Sequence, residues 1–246
     1  MIAHSHIGAP DTKAMRIGIA DDDETARDFL FELLTQSGHL CAQFRNGRDL
    51  MTALQRDTFD LLVIDWTMPE RDGLDVLRWT RDNLPSCPPI IMLTNRAAKD
   101  DIVACLNMGA DDYIVKPELP HVILARINAV LRRAAPRGQA EAQFEQFGGY
   151  TFDRLREVVT FEGEEANLTS KEFALARLLF RNMHRALSRS YLLETLWNSA
   201  ADVHTRTLDM HISRVRSKLR LRPENGYRLL PIFSYGYRLE TFNTTP

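Results

Sequence analysis

Residues 61–69 read Leu61-Leu62-Val63-Ile64-Asp65-Trp66-Thr67-Met68-Pro69, an apolar run that ends on an aspartate. Three other segments have the same grammar. Ile17 to Ala20 leads into Asp21-Asp22-Asp23, Ile90 to Leu93 into Thr94, and Tyr113 to Val115 into Lys116-Pro117. Short apolar runs bounded by polar or turn residues read as buried parallel strands. In an open parallel α/β sheet, ligands bind off the carboxyl ends of the strands. The four runs therefore bring an acidic pair, a lone aspartate, a threonine and a lysine to one end of one sheet. That set suits a divalent cation and a phosphoryl group.

The chain has 246 residues, 44% of them apolar and 26% charged, the profile of one large or two ordinary globular domains. No apolar run approaches the ~18 residues of a membrane span. Residues 1–14, with His4 and His6, lack the apolar centre of a signal peptide and read as a disordered leader. The three cysteines, Cys41, Cys87 and Cys105, form no close pair. They imply neither a disulfide framework nor a zinc site, and fit a reducing cytoplasm. Net charge divides unevenly. Residues 1–133 carry 15 Lys and Arg against 20 Asp and Glu, whereas residues 148–246 carry 15 against 11. An acidic half joined to a basic half suggests two jobs, with nucleic acid a candidate partner for the second.

Residues 15–133 alternate strand and helix. Helical faces are expected at Phe29/Leu30/Leu33/Leu34, Leu50/Leu54, Leu74/Leu77 and Ile123/Ile127/Val130/Leu131. Such alternation predicts an α/β domain, a doubly wound parallel sheet of five strands. Residues 134–147 hold a proline and a glycine and little apolar periodicity, and read as a linker. Residues 148–243 change style. Short strands precede Thr169-Ser170-Lys171-Glu172, which fits a helix capping box. Further helices are expected from Ser188 and from Thr205 to Leu219, then a hairpin around Phe233-Ser234-Tyr235-Gly236. That order predicts an α+β winged helix-turn-helix domain.

A hard cation such as Mg2+ takes oxygen ligands and tolerates few protein carboxylates. Asp21 and Asp22 beside Asp65 supply that arrangement. The cation screens the negative phosphoryl donor from the carboxylate that attacks it. Asp65 is then the nucleophile that forms an acyl phosphate, Lys116 pairs with phosphoryl oxygens, and Thr94 donates a hydroxyl. Each feature alone is ordinary, since an Asp-rich turn is usually a solvated loop. The ordered combination at strand ends is not. On these residues, 15–133 resemble the receiver domain of a two-component response regulator. The resemblance implies that Asp65 is the phosphoacceptor and that Asp21, Asp22, Asp65 and the Thr67 carbonyl hold Mg2+. It further implies that Thr94 and Tyr113 form the switch pair, that Lys116 binds phosphate, and that Lys116–Pro117 is cis. Phosphorylation would draw Thr94 toward the phosphoryl group and let Tyr113 swing inward, biasing a surface of the fourth helix, fifth strand and fifth helix.

The second half resembles the effector domain of the OmpR/PhoB family. The segments that carry it are LTSKEFAL (168–175), SRSYLLETLW (188–197), RTLDMHISRVRSKLR (206–220) and GYRL (236–239). In the third, Leu208, Ile212, Val215 and Leu219 fall on one helical stripe. The opposite face centres on Arg206, Met210, Ser213 and Ser217, flanked by Arg214 and Arg216. Such a small, polar, cationic face suits a major groove. Arg214 is expected to read a base, with Arg206 and Arg216 as phosphate anchors.

The chain departs from the family in several places. Phe233 stands where the wing often carries a minor-groove arginine. On the receiver's dimer surface, Ile102 and Val122 replace a charged pair and Asn107 and Asn128 replace another, while Asp112 and Arg126 remain. Asn95 follows Thr94 and Glu118 follows Pro117, where a small and an aromatic residue are usual. The resemblance implies a phosphorylation-switched transcription regulator. It would form a homodimer through the receiver and bind direct-repeat promoter DNA, with a sensor histidine kinase and RNA polymerase as partners and no membrane. Two rival readings are an aspartyl-phosphate phosphatase and a regulator that binds DNA constitutively. The first lacks, in Asp65-Trp66-Thr67, the second aspartate that such hydrolases use. The second leaves the complete acidic set without a purpose.

Overall fold

A computed structural model describes residues 14–134, 142–197 and 205–241. The expected leader with His4 and His6 lies outside them, as do residues 135–141 of the expected linker. The chain forms two compact units.

The first unit alternates strand and helix throughout: β1 (Arg16–Ala20), α1 (Glu24–Gln36), β2 (Leu40–Phe44), α2 (Gly47–Leu54), β3 (Leu61–Ile64), α3 (Gly73–Asn83), β4 (Ile90–Thr94), α4 (Lys99–Asn107), β5 (Asp112–Val115) and α5 (Pro120–Ala134). The strands form one parallel sheet of order β2-β1-β3-β4-β5. β1, β3 and β4 are buried at every position, as strands covered on both faces must be. The chain leaves β1 for β2 on one side and returns to β3 on the other. This reversal opens a crevice at the carboxyl ends of β1 and β3, where the doubly wound fold binds its ligands. On α1, Leu30 and Leu34 are buried but Phe29 is exposed, so the buried stripe is narrower than the apolar pattern predicts. The helix stops at Ser37-Gly38 as expected, with Gly38 at φ 86.

The second unit opens with an antiparallel meander of β6 (Phe144–Phe147), β7 (Tyr150–Asp153), β8 (Val158–Phe161) and β9 (Glu164–Ala166). Then come α6 (Ser170–Arg181), β10 (Leu187–Ser188), α7 (Arg189–Trp197), α8 (Thr205–Lys218), β11 (Tyr227–Ile232) and β12 (Gly236–Thr241). The last two strands form a hairpin, and β10 pairs along β12. β6 corrects the expected linker boundary: Phe144–Phe147 is a strand, so this unit begins before residue 148. Glu145 and Phe147 face the core while Phe144 and Gln146 face out, and a glutamate at an inward position hides the alternation. The capping box forms as predicted. Thr169 Oγ1 accepts from the Glu172 amide and Glu172 accepts from the Thr169 amide. Tyr150, Phe152, Phe180 and Tyr227 pack ring against ring at the centre. Burying each such side chain stabilises by about 1.5–3 kcal/mol.

Candidate functional site

In the first unit, the carboxyl end of β1 delivers Asp21 and that of β3 delivers Asp65. Asp21 is 1% exposed and Asp65 is also buried, while Asp22 faces solvent. One carboxylate oxygen from each of Asp21, Asp22 and Asp65 falls within a 4.8 Å cluster. Asp23 has a different job. It caps α1, its Oδ1 accepting from the amides of Thr25 at 2.8 Å and Ala26 at 3.2 Å. Lys116 reaches in from the end of β5, with Nζ 2.6 Å from Asp21 Oδ2 and 3.8 Å from Asp65 Oδ2. Burial pushes the Asp21 carboxyl above its ordinary range. Lys116 pulls it back, and the Asp65 charge adds to the rise. Three carboxylates facing one lysine leave a surplus of negative oxygen donors, which a small hard cation fits.

The backbone around Asp65 is closely held. Its amide donates to the Ala20 carbonyl at 2.8 Å, and its Oδ1 accepts from the Trp66 amide at 2.8 Å. Gly73 returns the loop, donating to the Trp66 carbonyl at 2.8 Å. A Cβ at residue 73 would stand 2.3 Å from the Asp65 carbonyl oxygen, so only glycine fits. Thr67 is exposed on the same loop. Thr94 ends β4 and is buried, and its carbonyl accepts from the Lys116 amide at 2.8 Å. The Lys116–Pro117 bond is cis.

Tyr113 already lies inward: it is buried, and its hydroxyl donates to the Arg96 carbonyl at 2.9 Å. Burial raises its pKa. The Trp66 ring meets it edge-on at 6.4 Å, and the Arg96 guanidinium sits over Trp66 at 4.5 Å. Arg96 is held in turn by Asp101, with Nε 2.8 Å from Oδ2. On the neighbouring face, Ile102 and Val122 are half-buried, and Val103 and Leu106 of α4 are exposed. Arg126 Nη1 forks both oxygens of Asp112 within the chain, at 3.1 and 3.2 Å.

In the second unit, Leu208, Ile212, Val215 and Leu219 are all buried, as their spacing predicts. Arg206, Met210, Ser213, Arg214 and Ser217 are exposed on the other side of α8. Arg216 is half-buried, and its Nη2 donates to the Leu229 carbonyl at 2.9 Å, tying the helix to the hairpin. Buried Glu172 holds Lys218 at 2.7 Å and lies 4.0 Å from Arg214. Its carboxyl is held below the ordinary range. Burial works against this, but the Lys218 and Thr169 hydrogen bonds outweigh it.

Residues 17–128 match the response regulator receiver domain family, and residues 163–239 match the C-terminal domain of transcriptional regulatory proteins. Over 224 residues the chain is 36% identical to the sensory transduction protein RegX3 of Mycolicibacterium smegmatis, covering 90% of this chain and 97% of that one. It is 34% identical over 224 residues to the phosphate regulon transcriptional regulatory protein PhoB of Pseudomonas aeruginosa, covering 91% and 96%. The chain belongs to the OmpR/PhoB family of response regulators. It is also 34% identical over 228 residues to the DNA-binding response regulator MtrA of M. smegmatis, covering 93% and 98%.

Members of the OmpR/PhoB family are two-component, DNA-binding transcription regulators rather than enzymes, and the phosphatase reading is set aside. A receiver domain implies a histidine kinase partner, and the C-terminal domain implies DNA. Receiver domains generally depend on Mg2+, and the acidic cluster for it is present. No described helix is long and apolar enough to cross a membrane. Two groups escaped the sequence reading of this OmpR/PhoB member. The Trp66–Arg96 stack joins residues 30 positions apart with no local pattern. Glu172 was legible as a helix cap but not as the partner of Lys218, 46 residues on.

Proposed function

We propose that a partner histidine kinase phosphorylates this regulator on Asp65 in the presence of Mg2+. Dimerisation through the α4–β5–α5 face would follow, then binding to direct-repeat promoter DNA in the cytoplasm, where RNA polymerase is the further partner. The observation that carries the reading is the meeting of three carboxylates and one lysine at the ends of β1, β3 and β5. Asp21, Asp22, Asp65 and the Thr67 carbonyl are the residues that would hold Mg2+, which supplies charge screening for the incoming phosphoryl group.

Asp65 Oδ1 is engaged by the Trp66 amide, and Oδ2 lies on the Lys116 side. Oδ2 attacks phosphorus as the bond to the kinase's imidazole nitrogen breaks, leaving an acyl phosphate on Asp65 and a neutral histidine on the kinase. Lys116, freed from Asp21, neutralises phosphoryl oxygens, and the Thr94 hydroxyl donates to one of them. Tyr113 and Thr94 report the change to α4 and α5, where Ile102, Val122, Asp112 and Arg126 form the dimer face. On the effector, Arg206, Met210, Ser213, Arg214, Arg216 and Ser217 form the DNA surface, with Arg214 the base reader beside Glu172. Three unpaired cysteines fit a reducing compartment.

The test is intact-mass analysis after incubation with a small phosphodonor and Mg2+, followed by gel filtration. One phosphoryl on the unsubstituted chain, none on Asp65→Asn, and a shift to dimer support the reading. Phosphoryl on Asp65→Asn, or none on the parent chain, sinks it.

A further inference from the structure

Glu172 on α6 is only 1% exposed, and two cations of α8 converge on it. Its place is fixed from two sides. As the third residue of α6 it closes the capping box, with Oε2 accepting from the Thr169 amide at 2.9 Å. The same oxygen accepts from Lys218 Nζ at 2.7 Å. Oε1 lies 4.0 Å from Arg214 Nη1. That distance is too long for a hydrogen bond, but two opposite charges so placed still attract.

Arg214 and Lys218 stand four residues apart on one face of α8, where like charges repel and a carboxylate between them offsets the repulsion. Two structural tasks account for most of this cluster. The cap needs no cation, because Thr169 and Glu172 satisfy each other's amides whatever α8 carries. Fastening α6 to α8 needs only Lys218. Neither task uses Arg214. Its side chain is 50% exposed, on the same side of α8 as Arg206, Met210 and Ser213. Glu172 is too deeply buried to meet a ligand itself, so whatever it contributes to binding passes through its cations.

An exposed arginine on a flexible stem meets phosphates in many rotamers, and those contacts carry no sequence information. Bidentate contact with a base edge demands one orientation of the planar guanidinium. An anion fixed behind that guanidinium favours a narrow set of orientations before DNA arrives. Two cations against one carboxylate still leave the cluster attractive to DNA. We propose that Glu172 is a positioning residue for sequence recognition, holding the Arg214 guanidinium by charge in the orientation that addresses a base. The inference rests on the reading of Arg214 as the base reader, and it makes the cap of α6 part of the discrimination between DNA sequences.

The experiment uses the full chain with Mg2+ and acetyl phosphate, a duplex that the chain selects from a random pool, and a random duplex of equal length. Fluorescence anisotropy gives the ratio of the two affinities. Glu172→Gln removes the charge and keeps the cap, since glutamine also closes the box. It is expected to lower the ratio about fivefold, the cost of ordering one long side chain at the interface. In an Arg214→Ala background the same change is expected to leave the ratio where it was, because residues that act as one unit do not add. Lys218→Met breaks the fastening but spares Oε1 and Arg214. It should keep the parent ratio within about twofold, and it tests the proposal even where Glu172→Gln fails to fold. Equal losses from Glu172→Gln in both backgrounds overturn the proposal and make Glu172 a support for α8. So does an unchanged ratio in Glu172→Gln, or a lost preference in Lys218→Met. Arg214→Ala weakening both duplexes equally would bring down the base-reader reading, and this inference with it.

Discussion

Asp21 and Glu145 are both buried carboxylates with cations in reach, yet their environments shift them in opposite directions. At Glu145, burial opposes the charge, but Arg181 and Arg177 hold the carboxyl below its ordinary range. Arg177 Nε and Arg181 Nε donate at 2.8 Å each, and Arg154 Nε waits at 3.7 Å. At Asp21, burial prevails over Lys116 and the carboxyl rises. The difference is one of stoichiometry. Three guanidiniums surround one carboxylate in the effector domain, so that site is closed and complete. In the receiver three carboxylates cluster while one ammonium reaches two of them, and that site stays short of positive charge. A saturated buried ion cluster is a fastening, whereas an unsaturated one is a binding site.

The largest expected effect strikes the saturated cluster. Glu145→Gln leaves Arg177 and Arg181 without their anion and should destabilise the effector domain by about 3 kcal/mol, read by denaturant unfolding. Because the Glu145 carboxyl is depressed in the folded state, its stabilising effect is present above the ordinary carboxyl pKa and is lost as pH falls through the folded value. The gap between parent and variant should therefore narrow in acid. A gap that stays constant down to pH values below the carboxylate range would remove Glu145 from the account.

Asp21→Asn is expected to go the other way, because it relieves an undercompensated buried charge. The receiver should gain stability in the absence of metal, because burial already raises the Asp21 carboxyl, and lose the rise in melting temperature that Mg2+ gives the parent. A destabilised Asp21→Asn receiver would mean that the Lys116 pair is a fastening too, and the contrast would fail.

The smallest effect concerns the exposed charges on α4, β5 and α5. Arg126 and Asp112 fork within one chain, and exposed pairs of this kind contribute roughly 0–1 kcal/mol. With Ile102, Val103, Leu106 and Val122 supplying the apolar part of the face, dimerisation should change less than about twofold between low and moderate salt. Sedimentation showing dissociation over that range would assign the interface to charge.

The sequence revealed most where periodicity and chemistry coincide. Asp65 was legible because four apolar residues place it at a strand end, and α8 because Leu208, Ile212, Val215 and Leu219 keep helical spacing. β6 was not legible. Its inward Glu145 reads as polar until Arg177 and Arg181, 32 and 36 residues away, are folded against it. Tyr113 was legible as part of a buried strand but not in its partner, since the Arg96 carbonyl is 17 residues distant. Pairing over such separations is decided by tertiary packing, and no local window carries it.

Trp66 adds a consequence of another kind. It is one of three tryptophans, and its buried ring lies one residue from Asp65, under the Arg96 guanidinium and beside Tyr113. An indole so enclosed changes its emission when the nearby charge or ring geometry changes. Replacing Trp79 and Trp197 with phenylalanine would leave a single fluorophore beside Asp65. The pocket would then signal its own occupancy by light, in real time and without a label.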